Sequence, residues 1–144
     1  MLVVADLNTD LLPQLTKEPE WVKYANRVVS IGYVRNQDMP TILNLSEALL
    51  YTSFRESFGL PIIEAMACGI PVITSNTSSM PEIAGTAAIQ VNPESSDEIA
   101  SALVNLLSSP ELCKEYAQLG LQRAKEFSWI SSAQKTLAIY NECV

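Results

Sequence analysis

Apolar residues along this chain fall into short runs separated by polar stretches, most of them marked by proline or glycine. Leu2-Val3-Val4-Ala5 is apolar throughout, as buried parallel strands are. Asn8 to Asn26 carries a broken helical pattern, interrupted at Pro13 and at Glu18-Pro19. Val28 to Ile31 predicts a second strand ending at Gly32. Asp38-Met39-Pro40 predicts an N-cap with proline close behind, opening a short helix over Thr41 to Leu45. Strands are then predicted at Ala48 to Thr52, Pro71 to Thr74 and Ala87 to Val91. Pro81 to Ala84 reads as one helical turn, and Asn76 to Ser79 as a loop whose side chains bond their own backbone.

From Ser95 onward the period becomes 3.6. Ser96-Asp97 is expected to cap a helix with Ile99, Leu103, Leu106 and Leu107 on one face. Pro110 opens another, with Leu112, Tyr116, Leu119 and Ala124 turned inward, and Ser128 starts the last, through Leu137 and Tyr140. All three are expected to carry core residues. Strands alternating with helices predict an α/β domain with a parallel sheet.

Between the third and fourth strands stands the densest stretch, Arg55 to Val72. Phe58-Gly59-Leu60 is a loop whose glycine permits a sharp turn or a close approach. Pro61 suits the first turn of a helix, and Ile62, Ile63, Ala65, Met66 and Ala67 make that helix apolar on almost every side. It is therefore expected to be packed inside, with Gly69 as its stop. One charge, Glu64, stands in this apolar setting, and Glu56 lies at the mouth of the loop. Two readings compete. In one, Glu64 snorkels to solvent and Glu56 is an ordinary loop charge. In the other, the helix N-terminus receives a phosphate and the two carboxylates grip hydroxyls on either side of it.

Composition narrows the field. The chain has 144 residues, 48% hydrophobic and 17% charged, which is one globular domain's worth. Nine Lys and Arg against sixteen Asp and Glu give a net charge of -7, which argues against a nucleic-acid or anionic-membrane surface. No apolar run approaches the roughly 20 residues that a membrane span needs, and no signal peptide is visible. Cys68, Cys113 and Cys143 are odd in number and widely spaced, and there is no histidine. They make neither a disulfide framework nor a zinc site, and fit a reducing cytoplasm. His-dependent catalysis within this segment is excluded. The five glycines lie too far apart for a dinucleotide fingerprint or a P-loop.

Glu56, seven intervening residues, then Glu64, with Phe58-Gly59-Leu60-Pro61 and Glu64 to Gly69 inside, resembles the signature of family-4 retaining glycosyltransferases. Ser30 to Val34, Thr74 to Gly85, Val91-Asn92-Pro93 and Phe127-Ser128-Trp129 resemble the segments on either side. The likeness covers nearly the whole chain. It implies a Rossmann-like parallel sheet with helices on both faces, the C-terminal, donor-binding half of a GT-B fold. It also implies a nucleotide-sugar substrate with no cofactor or metal. Glu64 would hold the ribose hydroxyls and Glu56 would lie near the donor sugar as the catalytic carboxylate. Backbone N–H groups of Phe58, Gly59 and Leu60 would face sugar and phosphates, and Tyr33-Val34 would lie near the base. Each has a plainer alternative: Tyr33 and Phe58 as packing residues, Arg55 as a solvated charge, Glu82 as a cap for its own helix. The likeness of Thr77 to Glu82 to mannosyltransferase members points to GDP-mannose.

The departures are Thr52-Ser53 where proline precedes serine, Ser57 where glycine is common, and Thr86 for a frequent aspartate. The family's first strand, its loop with an arginine and a lysine for the pyrophosphate, and its acceptor-binding N-terminal domain are not in this sequence. The resemblance therefore implies a C-terminal piece of a longer protein, cytoplasmic and held at the membrane through the other domain. Alone, the piece is expected to be inactive. A different class of reading is a non-catalytic nucleotide-sugar-binding or scaffolding module, which the complete gene would discriminate. With the central first strand absent, three outcomes are open: Leu2–Ala5 pairs directly with Ala48–Thr52, which is the favoured expectation, the N-terminal half is loosely held, or a second copy covers the gap.

Overall fold

The computed structural model describes residues 1–5, 17 and 19–143 and divides into two compact units, Met1–Met39 and Pro40–Val144. In the first unit, β1 (Leu2–Ala5) pairs in parallel with β2 (Val28–Gly32), in a register that shifts between Val4 and Ala5. A short helix α1 (Pro19–Val22) and a 3-10 turn over Ala25–Arg27 precede β2. Most of the broken helical pattern expected from Asn8 lies outside the described residues.

The second unit is built on a three-stranded parallel sheet in the order β3-β4-β5, over Leu49–Tyr51, Val72–Ser75 and Ile89–Val91. Every residue of the central strand β4 is buried. Ile73 joins Val91, Ala102 and Leu106 in a core cluster completed by Leu50, Ile89, Ile99, Leu103 and Tyr116. Strand alternation sends Val72 and Thr74 to the opposite face. Helices lie on both faces, as expected for this fold class. Before the sheet comes α2 (Met39–Asn44), and between its strands run α3 (Leu60–Ala67) and α4 (Met80–Ala84). After it come α5 (Ser96–Leu107), α6 (Pro110–Ala124) and α7 (Trp129–Glu142).

Four expectations change. β1 pairs with β2 within the first unit and β3 with β4 within the second; the pairing expected between Leu2–Ala5 and Ala48–Thr52 is not among the described ladders. An apolar run supplies strand propensity but does not choose the partner; Leu2 and Val3 stay 50% and 42% exposed. The cap of α5 is Ser95, whose hydroxyl accepts from Glu98 N at 3.2 Å, and Ser96 is already helical. Leu107 turns outward, because Ala102 and Leu106 define the buried stripe. Finally, α7 buries nothing: Leu137 and Tyr140 are exposed within the described unit. Among the described residues, no helix is long and apolar enough to cross a membrane.

Candidate functional site

Helix α3 opens where β3 has just ended, at the carboxyl edge of the parallel sheet, the side on which such sheets bind ligands. Gly59 caps its start with φ of 100°. A side chain is strained there whatever the space, and a Cβ would also sit tightly, 3.1 Å from Ile62 Cδ1, so the backbone conformation favours glycine. Pro61 falls in the first turn. The far end closes with Gly69 N donating to Met66 O and Ile70 N to Ala65 O, the Schellman arrangement.

The expectation that α3 is packed inside is corrected. Ile62, Ala65 and Met66 are buried, but Leu60, Glu64 and Ala67 form an open face. Glu64 is therefore not a buried carboxylate needing a protein partner. It stands one turn inside the helix, on the side that meets solvent.

Glu56 is held far more firmly. Its Oε1 accepts from the Tyr51 hydroxyl at 2.6 Å and from the Ser53 hydroxyl at 2.8 Å. The Tyr51 bond, then the Ser53 bond, keep its carboxyl below the ordinary range, against a smaller opposing effect of burial. Burial, then the bond to Glu56 and its charge, push the Tyr51 phenol up to about 12. At neutral pH the pair is thus a protonated phenol and an ionised carboxylate. The stabilisation of the ionised Glu56 is complete above the ordinary carboxylate pKa and is lost as pH falls through the depressed one.

The loop around Glu56 is fixed by hydroxyls from the end of β4 and the segment after it. Ser75 Oγ donates to Ser53 O at 2.6 Å, and Thr77 Oγ1 to Phe54 O at 3.3 Å. Ser78 Oγ donates to Glu56 O at 2.8 Å and accepts from Glu56 N at 3.2 Å. Ser79 Oγ lies 3.1 Å from Glu56 O and 3.0 Å from Phe58 O. Ser79 occupies the N-cap of α4, yet its hydroxyl makes no capping bond. Ser78 has φ of 58°, the one non-glycine with positive φ among the described residues. These side chains were expected to bond their own backbone; they bond that of the neighbouring loop instead. With the loop's carbonyls turned toward the hydroxyls, the N–H groups of Ser57, Phe58, Gly59 and Leu60 have no acceptor among the described residues.

Phe58 packs edge-on against Phe127, with ring centroids 5.9 Å apart, and stays partly exposed. The Arg123 guanidinium lies 4.9 Å from the Phe127 ring centre. It donates to Ile83 O at 3.0 Å and Glu82 O at 2.6 Å, and pairs with Glu126. It thereby satisfies carbonyls at the end of α4 and ties α4 to α6. Glu82 itself is exposed.

Of the expected site residues, Glu56, Phe58, Gly59, Leu60 and Glu64 thus share one loop-and-helix segment. Tyr33, which is exposed, and Val34 follow β2 in the first unit. Sequence reasoning missed Tyr51, Ser53, Ser78, Ser79 and Arg123. The hydroxyl-rich run Thr74 to Ser79 was a visible signal, but its partner loop was not.

A family model described as Glycosyl transferases group 1 matches residues 1–123. O-antigen chain mannosyltransferase B of Escherichia coli is 35% identical over 135 residues, covering 94% of this chain and 34% of that protein. Sucrose-phosphate synthase of Thermosynechococcus elongatus superposes with a TM-score of 0.84 at 23% identity, over 99% of this chain and 37% of that one. HepE of Anabaena, solved in complex with UDP-glucose, superposes with a TM-score of 0.80 at 21% identity, over 95% and 38% respectively. The chain therefore spans about a third of the length of each. At these identities the two structural likenesses speak for the fold.

Proposed function

The chain belongs to the group 1 glycosyl transferases, and on that premise we propose that it forms the donor-binding part of a retaining glycosyltransferase. The enzyme moves mannose from a nucleoside diphosphate to a hydroxyl acceptor. The bond between the anomeric carbon and the diphosphate oxygen breaks, and the diphosphate leaves with the electron pair. A bond to the acceptor oxygen forms on the same face, and the acceptor's hydroxyl proton passes to the departing diphosphate.

One observation carries this reading: a carboxylate held by two hydroxyls beside a helix start where the N–H groups of Phe58, Gly59 and Leu60 meet no acceptor among the described residues. The α3 N-terminus and the N–H groups of Phe58, Gly59 and Leu60 favour the negative charge that grows on the departing diphosphate. Glu56 faces the sugar, as a hydrogen-bond acceptor for its hydroxyls and a counter-charge to the positive character developing at the anomeric carbon. Glu64, on the open face of α3, accepts from the ribose hydroxyls. The mannosyltransferase relative supports mannose, and the neighbour solved with UDP-glucose supports the donor class. GDP-mannose is the donor this reading names. No metal or cofactor takes part. Three unpaired cysteines fit a cytoplasmic enzyme.

Glu56→Ala in the whole protein tests the reading. Turnover is expected to fall by about a hundredfold, while nucleoside diphosphate affinity stays within about twofold. If the variant loses diphosphate affinity but transfers sugar normally, the roles of Glu56 and Glu64 are reversed.

A further inference from the structure

Glu56 is anchored at one oxygen only. Both the Tyr51 and the Ser53 hydroxyl donate to Oε1, and Oε2 takes no bond from any described residue. The main chain of the same residue is fixed separately, by Ser78 and Ser79. Ser53 and Ser78 lie on loops, but Tyr51 is the last residue of β3. It pairs with Thr74 of β4, and its carbonyl accepts from Thr74 Oγ1 at 3.0 Å. The phenol is therefore referenced to the buried sheet, and through it so is the carboxylate.

We infer that Tyr51 is a positioning residue: from the end of β3 it holds Oε1 of Glu56 and turns Oε2 toward the donor sugar. This rests on the reading of Glu56 as the carboxylate that faces the sugar. A glutamate on a loop samples several rotamers; a short bond from a sheet-mounted phenol removes most of that freedom before substrate arrives. It also keeps the carboxylate ionised, so that it accepts and does not donate. Among the described groups that bond Glu56, Tyr51 from β3 is the titratable one. Ser53, Ser78 and Ser79 are neutral, and no described Lys or Arg forms an ion pair with it. Loss of the phenol hydroxyl therefore has one electrostatic consequence, a rise in the carboxyl pKa.

Tyr51→Phe keeps the ring and removes the bond. In the whole protein, with GDP-mannose as donor, kcat is expected to fall about tenfold, with KM for the donor and GDP affinity within about twofold. The acid limb of the kcat profile should move to higher pH. In a Glu56→Ala background the same substitution should change kcat by less than about twofold, because its effect runs through the carboxylate. Unfolding temperatures of the variants should match the wild type, because the ring is kept. The inference is overturned if Tyr51→Phe leaves kcat and the acid limb where they were. It is also overturned if the tenfold loss persists without Glu56. Normal transfer by Glu56→Ala itself is a separate result, which removes the reading of Glu56 and the positioning role together.

Discussion

Ser78 occupies a left-handed conformation that costs an L-residue roughly 1–2 kcal/mol, and it does so while bridging the N–H and the carbonyl of Glu56. Strain of this kind persists where surrounding contacts impose it. Ser78→Ala should keep the strain and lose the bonds, at about 1 kcal/mol of stability. Ser78→Gly should relieve the strain and come out near neutral. Thermal unfolding of the two variants measures the difference, and equal losses would show that the conformation is not strained. Ser78 also marks the limit of sequence reading at this scale. That Thr77, Ser78 and Ser79 are polar loop residues is legible. That their hydroxyls serve carbonyls 21–23 positions earlier is a tertiary fact, which no local preference encodes. Glu64 shows the opposite error: a helix with five apolar residues was read as enclosed, but three of them suffice for its buried face.

Helix α3 owes its place to two glycines. Gly59 admits the turn into it, and Gly120 of α6 lets the two helices approach until a Cβ at Gly120 would lie 3.1 Å from Met66 Cγ and 3.4 Å from Met66 Cα. In an exposed helix, Gly→Ala stabilises by up to about 1 kcal/mol. Here the sign should reverse. Gly120→Ala should destabilise by about 1 kcal/mol, since overpacking typically costs about 1–3 kcal/mol and the propensity gain offsets part of it. Denaturation midpoints check this; a stabilised variant would show that α3 and α6 have room to spare. Elements were the most legible level. All five strands fall where the apolar runs place them, and the Ser109 and Ser128 caps sit at expected helix starts. The Ser95 cap was missed by one residue because Ser95 and Ser96 offer the same hydroxyl.

On the scale of the whole molecule, the sequence supplied strands but not all their pairings. The apolar run of β1 carried no signal for β2 over β3, because parallel pairing is non-local and its register is set by burial. Family membership was legible because the spaced glutamates, Gly59 and Pro61 fall in one loop-and-helix segment, and the family match over residues 1–123 bears it out. The central claim, that this segment binds a nucleoside diphosphate sugar, is tested most directly by calorimetric titration of the whole protein with GDP-mannose, wild type against Glu64→Gln. Glu64 is exposed, so the substitution should leave the unfolding temperature unchanged. Losing charge-assisted bonds to the ribose should weaken donor binding about tenfold or more. Equal donor affinity in the two proteins would contradict the account.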